Sequence, residues 1–196
     1  MIADPYLALL MGYLLGAIPF GLLLTRFAGK GDLRSIGSGN IGATNVLRTG
    51  SKGLAALTLL LDAAKGAAAV IIAQQVWPDA VRFAAAGALV GHLYPLWLKF
   101  RGGKGVATLL GILIPLFPLA AAIYAALWVG VLIAVRISSV AGMVAAASVP
   151  LSVAIAGERA LFPLLLSFAL LVVWKHRENV QRLKNGTEPR VGRRAA

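Results

Sequence analysis

Long apolar runs separated by short polar loops dominate the chain. The runs cover approximately 5–27, 53–77, 80–98, 105–117, 119–135, 139–157 and 160–175. Apolar character sustained for about 20 residues is the pattern of helices that face lipid, because that length at about 1.5 Å rise crosses about 30 Å of hydrocarbon. The fourth and fifth runs form one stretch unless Pro115 and Pro118 break it. Proline lacks the backbone N–H and clashes with the preceding turn, so the pattern predicts a tight reversal there. The expected fold is therefore all-α: a polytopic membrane helix bundle of seven transmembrane helices, the fourth of them short. Six spans, with one kinked helix, is the alternative. Seven spans use about 140 residues. Residues 1–196 then read as a single integral-membrane domain, with 189–196 a flexible basic tail.

Composition narrows the classes. Hydrophobic residues make up 59% of the chain and charged residues 13%, where a soluble domain carries about a quarter charged. The shortfall excludes an ordinary globular domain, a disordered tail protein and a coiled coil. Nineteen Lys/Arg against seven Asp/Glu give a net charge of +12. In a soluble protein that balance points to nucleic acid, but in a membrane chain it first has to be divided between two faces. Arg26, Lys30, Arg34, Arg48, Lys52, Lys99, Arg101, Lys104, Arg136 and the seven basic residues from Lys175 onward fall on one face, sixteen in all. Only Arg82 and Arg159 fall on the other, and Lys65 lies within a run. The positive-inside bias makes the first face cytoplasmic, with the N-terminus outside and the C-terminus cytoplasmic. Seven spans satisfy that parity and six do not. The charge excess thus sets topology, and no nucleic-acid partner is expected. The first run does not read as a cleaved signal peptide: Asp4 is the one charge before it, and the apolar stretch is too long. No internal repeat of 20–50 residues is visible, which weighs against transporters built from inverted repeats.

Polar chemistry collects in three loops on the basic face. The first contains Ser38-Gly-Asn-Ile-Gly-Ala-Thr-Asn-Val-Leu-Arg48. Glycines 37, 39 and 42 match G-x-G-x-x-G formally, yet the βαβ unit that a dinucleotide fingerprint needs is missing. The physical content survives without that fold. Glycines such as Gly39 let backbone N–H groups converge on an anion, and Ser38, Asn40, Thr44 and Asn45 add uncharged donors. Arg48 supplies a planar fork suited to phosphate. In the second loop Gly102, Gly103 and Gly105 surround Lys104 immediately before a new helix. An anion at that helix N-terminus meets free N–H groups, a positive dipole end and Lys104. Gly105 stands where a Walker A loop needs Ser or Thr.

The third loop runs from Lys175 to Glu188. Continuing the seventh run as helix puts His176 and Asn179 on one face with Leu183 following, and Arg177 and Lys184 away from it. His176 is the better of the two histidines for acid–base work, since it sits at the wet end. His92, alone among apolar residues, reads as a hydrogen-bonded packing residue rather than a catalyst. Asp62 and Lys65, three apart within the second run, read as a mutually neutralising pair or as support for a loop arginine. Gly12-x3-Gly16 and Gly87-x3-Gly91 read as helix-packing surfaces.

Several mechanisms fall away. Zero cysteines remove disulfides, thiolate metal sites and a Cys nucleophile together. Asp32, Glu178 and Glu188 are too scattered for a carboxylate Mg²⁺ cage, and no His-rich tract suggests zinc. Neither histidine is followed five residues on by Asp; Trp97 and Gln181 stand there. The His-x4-Asp device of soluble and peripheral glycerolipid acyltransferases is therefore missing. A transporter of phosphorylated metabolites would need polar groups along a midplane path, and the runs offer Asp62, Lys65 and His92 alone. A structural scaffold would not need phosphate donors and a histidine gathered on one face.

Together the three segments resemble the three motifs of the bacterial acyl-phosphate:glycerol-3-phosphate acyltransferase family. These are Ser-Gly-Asn-x-Gly-Ala-Thr-Asn with its Arg, Gly-Gly-Lys-Gly-Val-Ala-Thr, and Lys-His-x-x-Asn with a following Gly-x-Glu. They occur in family order from Ser38 to Glu188, with Asp62 and Lys65-Gly66 also in place. Arg101 stands where lysine is common, which keeps the charge. The resemblance implies transfer of a fatty acyl group from acyl phosphate to the 1-hydroxyl of glycerol 3-phosphate, giving lysophosphatidic acid and phosphate. It implies no cofactor and no metal, membrane lipid as partner, and a bacterial inner-membrane location with the active site facing the cytoplasm. On this resemblance Ser38, Thr44, Arg48 and Lys104 bind phosphate groups, within a binding set completed by Gly39, Asn40, Asn45, Gly102 and Gly103. Asn40 and Asn45 fix the loop or contact substrate. His176 orients the attacking hydroxyl or takes its proton, unless substrate phosphate takes it. Asn179 holds His176 or the glycerol.

Overall fold

The computed structural model describes residues 4–192. It is all-helical, with no strand among the described residues. The helices are α1 (Asp4–Gly16), α2 (Phe20–Phe27), α3 (Ala43–Leu47), α4 (Lys52–Val76), α5 (Val81–Leu93), α6 (Val106–Leu116), α7 (Pro118–Val135), α8 (Ser138–Ile155), α9 (Phe162–Lys175) and α10 (Arg177–Lys184). They form two compact units, Met1–Leu116 and Phe117–Ala196. Arg193 and Arg194 of the basic tail lie outside the described residues; before them, the Val191 N–H donates to the Arg136 carbonyl at 2.7 Å.

Four stretches are long and apolar enough to cross a membrane: Asp4–Phe27, Lys52–Val76, Pro118–Val135 and Ser138–Ile155. Val106–Leu116 and Phe162–Lys175 are shorter apolar helices. Two of the runs read from the sequence, and the continuation of a third, depart from continuous helix. The first breaks between Gly16 and Phe20, where Pro19 has no N–H to continue the ladder. The third is α-helical only from Val81 to Leu93. There Tyr94, ahead of Pro95, is driven out of the helical region (φ −140°), and a short 3₁₀ turn follows at Leu96–Leu98. The seventh stops at Lys175 and restarts at Arg177, so His176 is a junction rather than part of one long helix. Between the fourth and fifth runs, α6 ends at Leu116 and Pro118 opens α7; Pro115 lies inside α6.

In the first unit α1 packs on α5 through the two glycine pairs. A Cβ on Gly12 or Gly16 would strike the carbonyls of Ala84 and Ala88, and one on Gly87 or Gly91 those of Leu9 and Tyr13. Backbones thus meet backbones, which is how small residues hold helices together where no water drives association. The α1 side also fixes the turn after α5. The Tyr13 hydroxyl donates to the Tyr94 carbonyl and accepts from the Leu96 N–H, each at 2.9 Å, while the Trp97 indole donates to the Ala17 carbonyl. A cluster of Leu22, Leu33, Ile41, Val46 and Ala55 then forms a common floor, with Leu98 packed against it. Leu33, Ile41 and Val46 of that floor come from the first polar loop and its short helix, and Leu98 stands just before the second loop. In the second unit α7 packs on α8, α8 on α9, and α10 on the end of α9.

Outer faces are apolar. Leu60, Ile133, Leu151, Ile155 and Leu170 are all more than three-fifths exposed. Water would penalise each by about 1.5–3 kcal/mol relative to burial; hydrocarbon would not.

Candidate active site

The first loop is built around Asn45. Its side chain is buried, and its amide donates to the carbonyls of Leu33 and Ile36, both at 2.9 Å. Its Oδ1 accepts the Ser38 N–H at 3.2 Å and a long contact from Arg48 Nη1 at 3.4 Å. One amide thereby ties the approach to the loop, its tip and its exit. Gly37 and Gly39 have φ of +56° and +67°, a region costly for any residue with a Cβ. Asn40 Oδ1 accepts the Gly42 N–H at 3.0 Å, which turns the chain into α3. With the backbone so held, Ser38, Thr44 and Arg48 remain exposed. At the loop's entrance Asp32 takes Arg34 at 2.6 Å and Arg26 at 3.3 Å. The Arg34 guanidinium holds the Asp32 carboxyl well below the usual carboxylate range.

The second loop returns beneath the end of α5. The Gly102 and Gly103 N–H groups donate to the Leu93 and His92 carbonyls at 3.2 and 3.0 Å, so the loop satisfies carbonyls left over at a helix end. Gly105 has φ +86°, and α6 starts at Val106. Half-buried Lys104 therefore stands at the opening of an 11-residue helix, as the spacing predicts. Nearby, Asp62 and Lys65 form a buried ion pair at 2.6 Å, and Lys65 Nζ also donates to the Ile18 carbonyl at 2.7 Å.

In the second unit His176 is 2% exposed, so it does not sit at a wet end. The break after Lys175 tucks its ring back against α9, where Nδ1 meets the Val172 carbonyl at 2.7 Å. A carbonyl only accepts, so Nδ1 carries the hydrogen. Nε2 of the neutral ring is then the nitrogen able to take a proton. Asn179, also buried, donates to Glu188. Glu188 further accepts Ser139 Oγ and Arg182 Nε, each at 2.7 Å. Burial pushes the Glu188 carboxyl up, but these three donors outweigh it and hold the group below its ordinary value. Arg177 and Lys184 are exposed, away from Asn179.

A profile described as "Glycerol-3-phosphate acyltransferase" matches residues 6–186. The chain is 56% identical over 186 residues to the glycerol-3-phosphate acyltransferase of Rhodopseudomonas palustris (strain HaA2), covering 94% of each chain. It is 53% identical over 188 residues to that of Methylorubrum extorquens (strain PA1), covering 95% of this chain and 93% of the other. The chain belongs to the glycerol-3-phosphate acyltransferase family. Among solved structures it is similar to PlsY (YgiH), described as an integral membrane glycerol 3-phosphate acyltransferase. The glycerol 3-phosphate form of that protein gives a TM-score of 0.90 at 35% identity over 96% of both chains. The lysophosphatidic acid form gives 0.87 at 34% identity, over 96% of this chain and 95% of the other.

For a member of this acyltransferase family, the residues picked from the sequence divide cleanly. Ser38, Gly39, Asn40, Thr44, Asn45, Arg48, Gly102, Gly103 and Lys104 lie in the first unit. His176 and Asn179 lie in the second, one residue and four residues beyond α9. Asn45 spends its amide within its loop, where it holds the backbone at Leu33, Ile36 and Ser38. Asn179 has Glu188 as a partner, so part of its amide serves the third loop's own structure. Sequence reasoning missed Ser139, a partner of Glu188; the one available sign was a Ser-Ser pair opening a span two residues after Arg136. Among the described residues no three His, Asp or Glu side chains converge as metal ligands would.

Proposed function

We propose that the protein transfers a fatty acyl group from acyl phosphate to the 1-hydroxyl of glycerol 3-phosphate, the first step of phospholipid synthesis. The hydroxyl oxygen bonds to the acyl carbon, the bond from that carbon to the phosphate oxygen breaks, and lysophosphatidic acid and inorganic phosphate leave. The observation carrying this reading is the Asn45-centred loop, which spends its neutral amide on its own backbone and keeps Ser38, Thr44 and Arg48 exposed. Both substrates bear phosphate, which accounts for a second anion-binding device at Lys104. An acyl phosphate is already activated, so the protein's task is alignment and charge neutralisation, with no cofactor and no metal.

His176 orients the attacking hydroxyl or accepts its proton at Nε2 and passes it to the departing phosphate; transfer straight to that phosphate is the other route. Asn179 holds His176 or the glycerol backbone. Seven spans, an external N-terminus and a cytoplasmic C-terminus place all three loops at the cytoplasmic surface of the bacterial inner membrane. The sixteen-to-two division of basic residues supports that topology. The acyl chain then stays in the bilayer while the water-borne phosphate ester arrives from the cytosol.

Turnover by purified protein tests the donor. Acyl phosphate should support formation of lysophosphatidic acid where acyl thioesters do not. Equal rates from an acyl thioester would overturn the donor assignment.

A further inference from the structure

Three buried polar side chains lie behind the second loop, and the mechanism above uses none of them. His92, Asp62 and Lys65 are 4%, 3% and 4% exposed. Lys65 Nζ bridges the Asp62 carboxylate at 2.6 Å and the Ile18 carbonyl at 2.7 Å. His92 Nδ1 lies 3.8 Å from the same Asp62 oxygen. On its other side the imidazole presses on the loop itself. A Cβ added to Gly103 would strike the His92 ring at Nε2 and Cε1, and one added to Gly102 would strike the His92 carbonyl. The Gly103 N–H meanwhile donates to that carbonyl at 3.0 Å.

The reason for two glycines here is spatial. Gly105 has a positive φ, but Gly102 and Gly103 do not, so their backbone conformation is open to any residue. What excludes a side chain at 103 is the ring already occupying its place. Ring and loop are therefore fitted to each other, and Lys104 is the next residue along.

We propose that His92 is a positioning residue: seated on the buried Asp62–Lys65 pair, its ring fixes the Gly102–Gly103 backbone and through it the direction of Lys104. The inference rests on the reading of Lys104 as a phosphate-binding residue. His92 itself touches no substrate. Its contribution is the fixed path of a loop that would otherwise let the lysine wander, and misplacement of a contact by about 1 Å is enough to cost about a hundredfold in rate.

Steady-state kinetics with acyl phosphate and glycerol 3-phosphate test this, with melting temperature as the fold control. His92→Ala should lower kcat/KM by about tenfold when Lys104 is present and by less than about twofold in the Lys104→Ala background, because a residue acting through another loses its effect when that other is gone. Gly103→Ala should cost about tenfold or more beside the intact ring, and only about threefold in the His92→Ala background, where the ring's space is vacant. Equal losses from His92→Ala in both backgrounds, or wild-type kcat/KM in the single variant, would overturn the proposal. Should His92→Ala fail to fold, Gly103→Ala is compared with and without Lys104 instead. Equal losses in those two backgrounds overturn the proposal, and loss confined to the Lys104-containing protein supports it. Failure of the underlying reading looks different: Lys104→Ala alone would then keep wild-type kcat/KM.

Discussion

The loop of the first unit is tied together by neutral groups, whereas the segment that closes the second is tied by a carboxylate. In the first, Asn45 donates to two carbonyls and accepts a backbone N–H. Arg48 stands exposed, with no ion pair to a carboxylate among the described residues. In the second, Glu188 draws in Ser139, Asn179 and Arg182, and its charge is answered on the spot. The difference teaches where charge is kept for a ligand. A cation in a loop held by amides keeps its full attraction for an incoming anion. One that has already met a carboxylate contributes to structure instead. The Asp32–Arg34–Arg26 group at the entrance to the first loop follows the second pattern, which separates those arginines from Arg48 although all lie within one polar stretch.

The largest expected effect is all-or-none and asks whether the two regions share a membrane face. Cysteines introduced at Ser51 and Thr187 should resist an impermeant thiol reagent in intact cells, and one at Asp79 should react. External labelling of either loop position would remove that region from the cytosolic surface. Next comes the cation of the second loop. Lys104→Ala should fold normally yet lose about 10- to 150-fold in kcat/KM, the equivalent of one charge-assisted contact at about 1.5–3 kcal/mol. Arg182→Ala should instead lower the melting temperature more than the activity, because its partner is Glu188 rather than substrate.

Asn45→Asp sharpens the neutral side of the comparison. It replaces a donor with a carboxylate oxygen facing the Leu33 and Ile36 carbonyls, so stability should fall by about 1–3 kcal/mol and activity with it. Asn40→Ala, which loses one turn contact, should fall less on both measures. The smallest effect concerns Glu188. Its carboxyl is held below the ordinary value of 4.5, so its stabilisation is fully present above that pH and lost as pH falls through the lowered folded value. A melting-temperature series from neutral pH into acid should show this loss in the wild type, and Glu188→Gln should flatten it.

Much of this organisation is legible in the sequence, for reasons that can be named. Glycines four apart on α1 and α5 announce close packing because small residues let two helix backbones approach, and glycine most of all. Lys104 at a helix opening follows from the glycines around it. The break at His176 is not legible: Val-Val-Trp-Lys-His-Arg-Glu carries no Gly or Pro, and the chain turns so that a buried imidazole can meet the Val172 carbonyl. The end of α5 is marked in the sequence by Pro95, but Leu96-Trp97-Leu98 continues the apolar run past it and masks the signal. Asn45 and Asn40 look alike in sequence. They differ because the partners of Asn45 lie nine and twelve residues upstream, whereas Asn40 bonds only two residues on.

The central claim is that the acyl group passes directly from acyl phosphate to glycerol 3-phosphate and the protein is never acylated. Ser38 is the residue that bears on it, as an exposed hydroxyl in the first loop. The direct measurement is incubation of purified protein with acyl-labelled acyl phosphate, before and after addition of glycerol 3-phosphate. The account predicts no protein-bound label in the first step and labelled lysophosphatidic acid only in the second. A stoichiometric acyl adduct on Ser38, discharged by glycerol 3-phosphate at the rate of turnover, would contradict it.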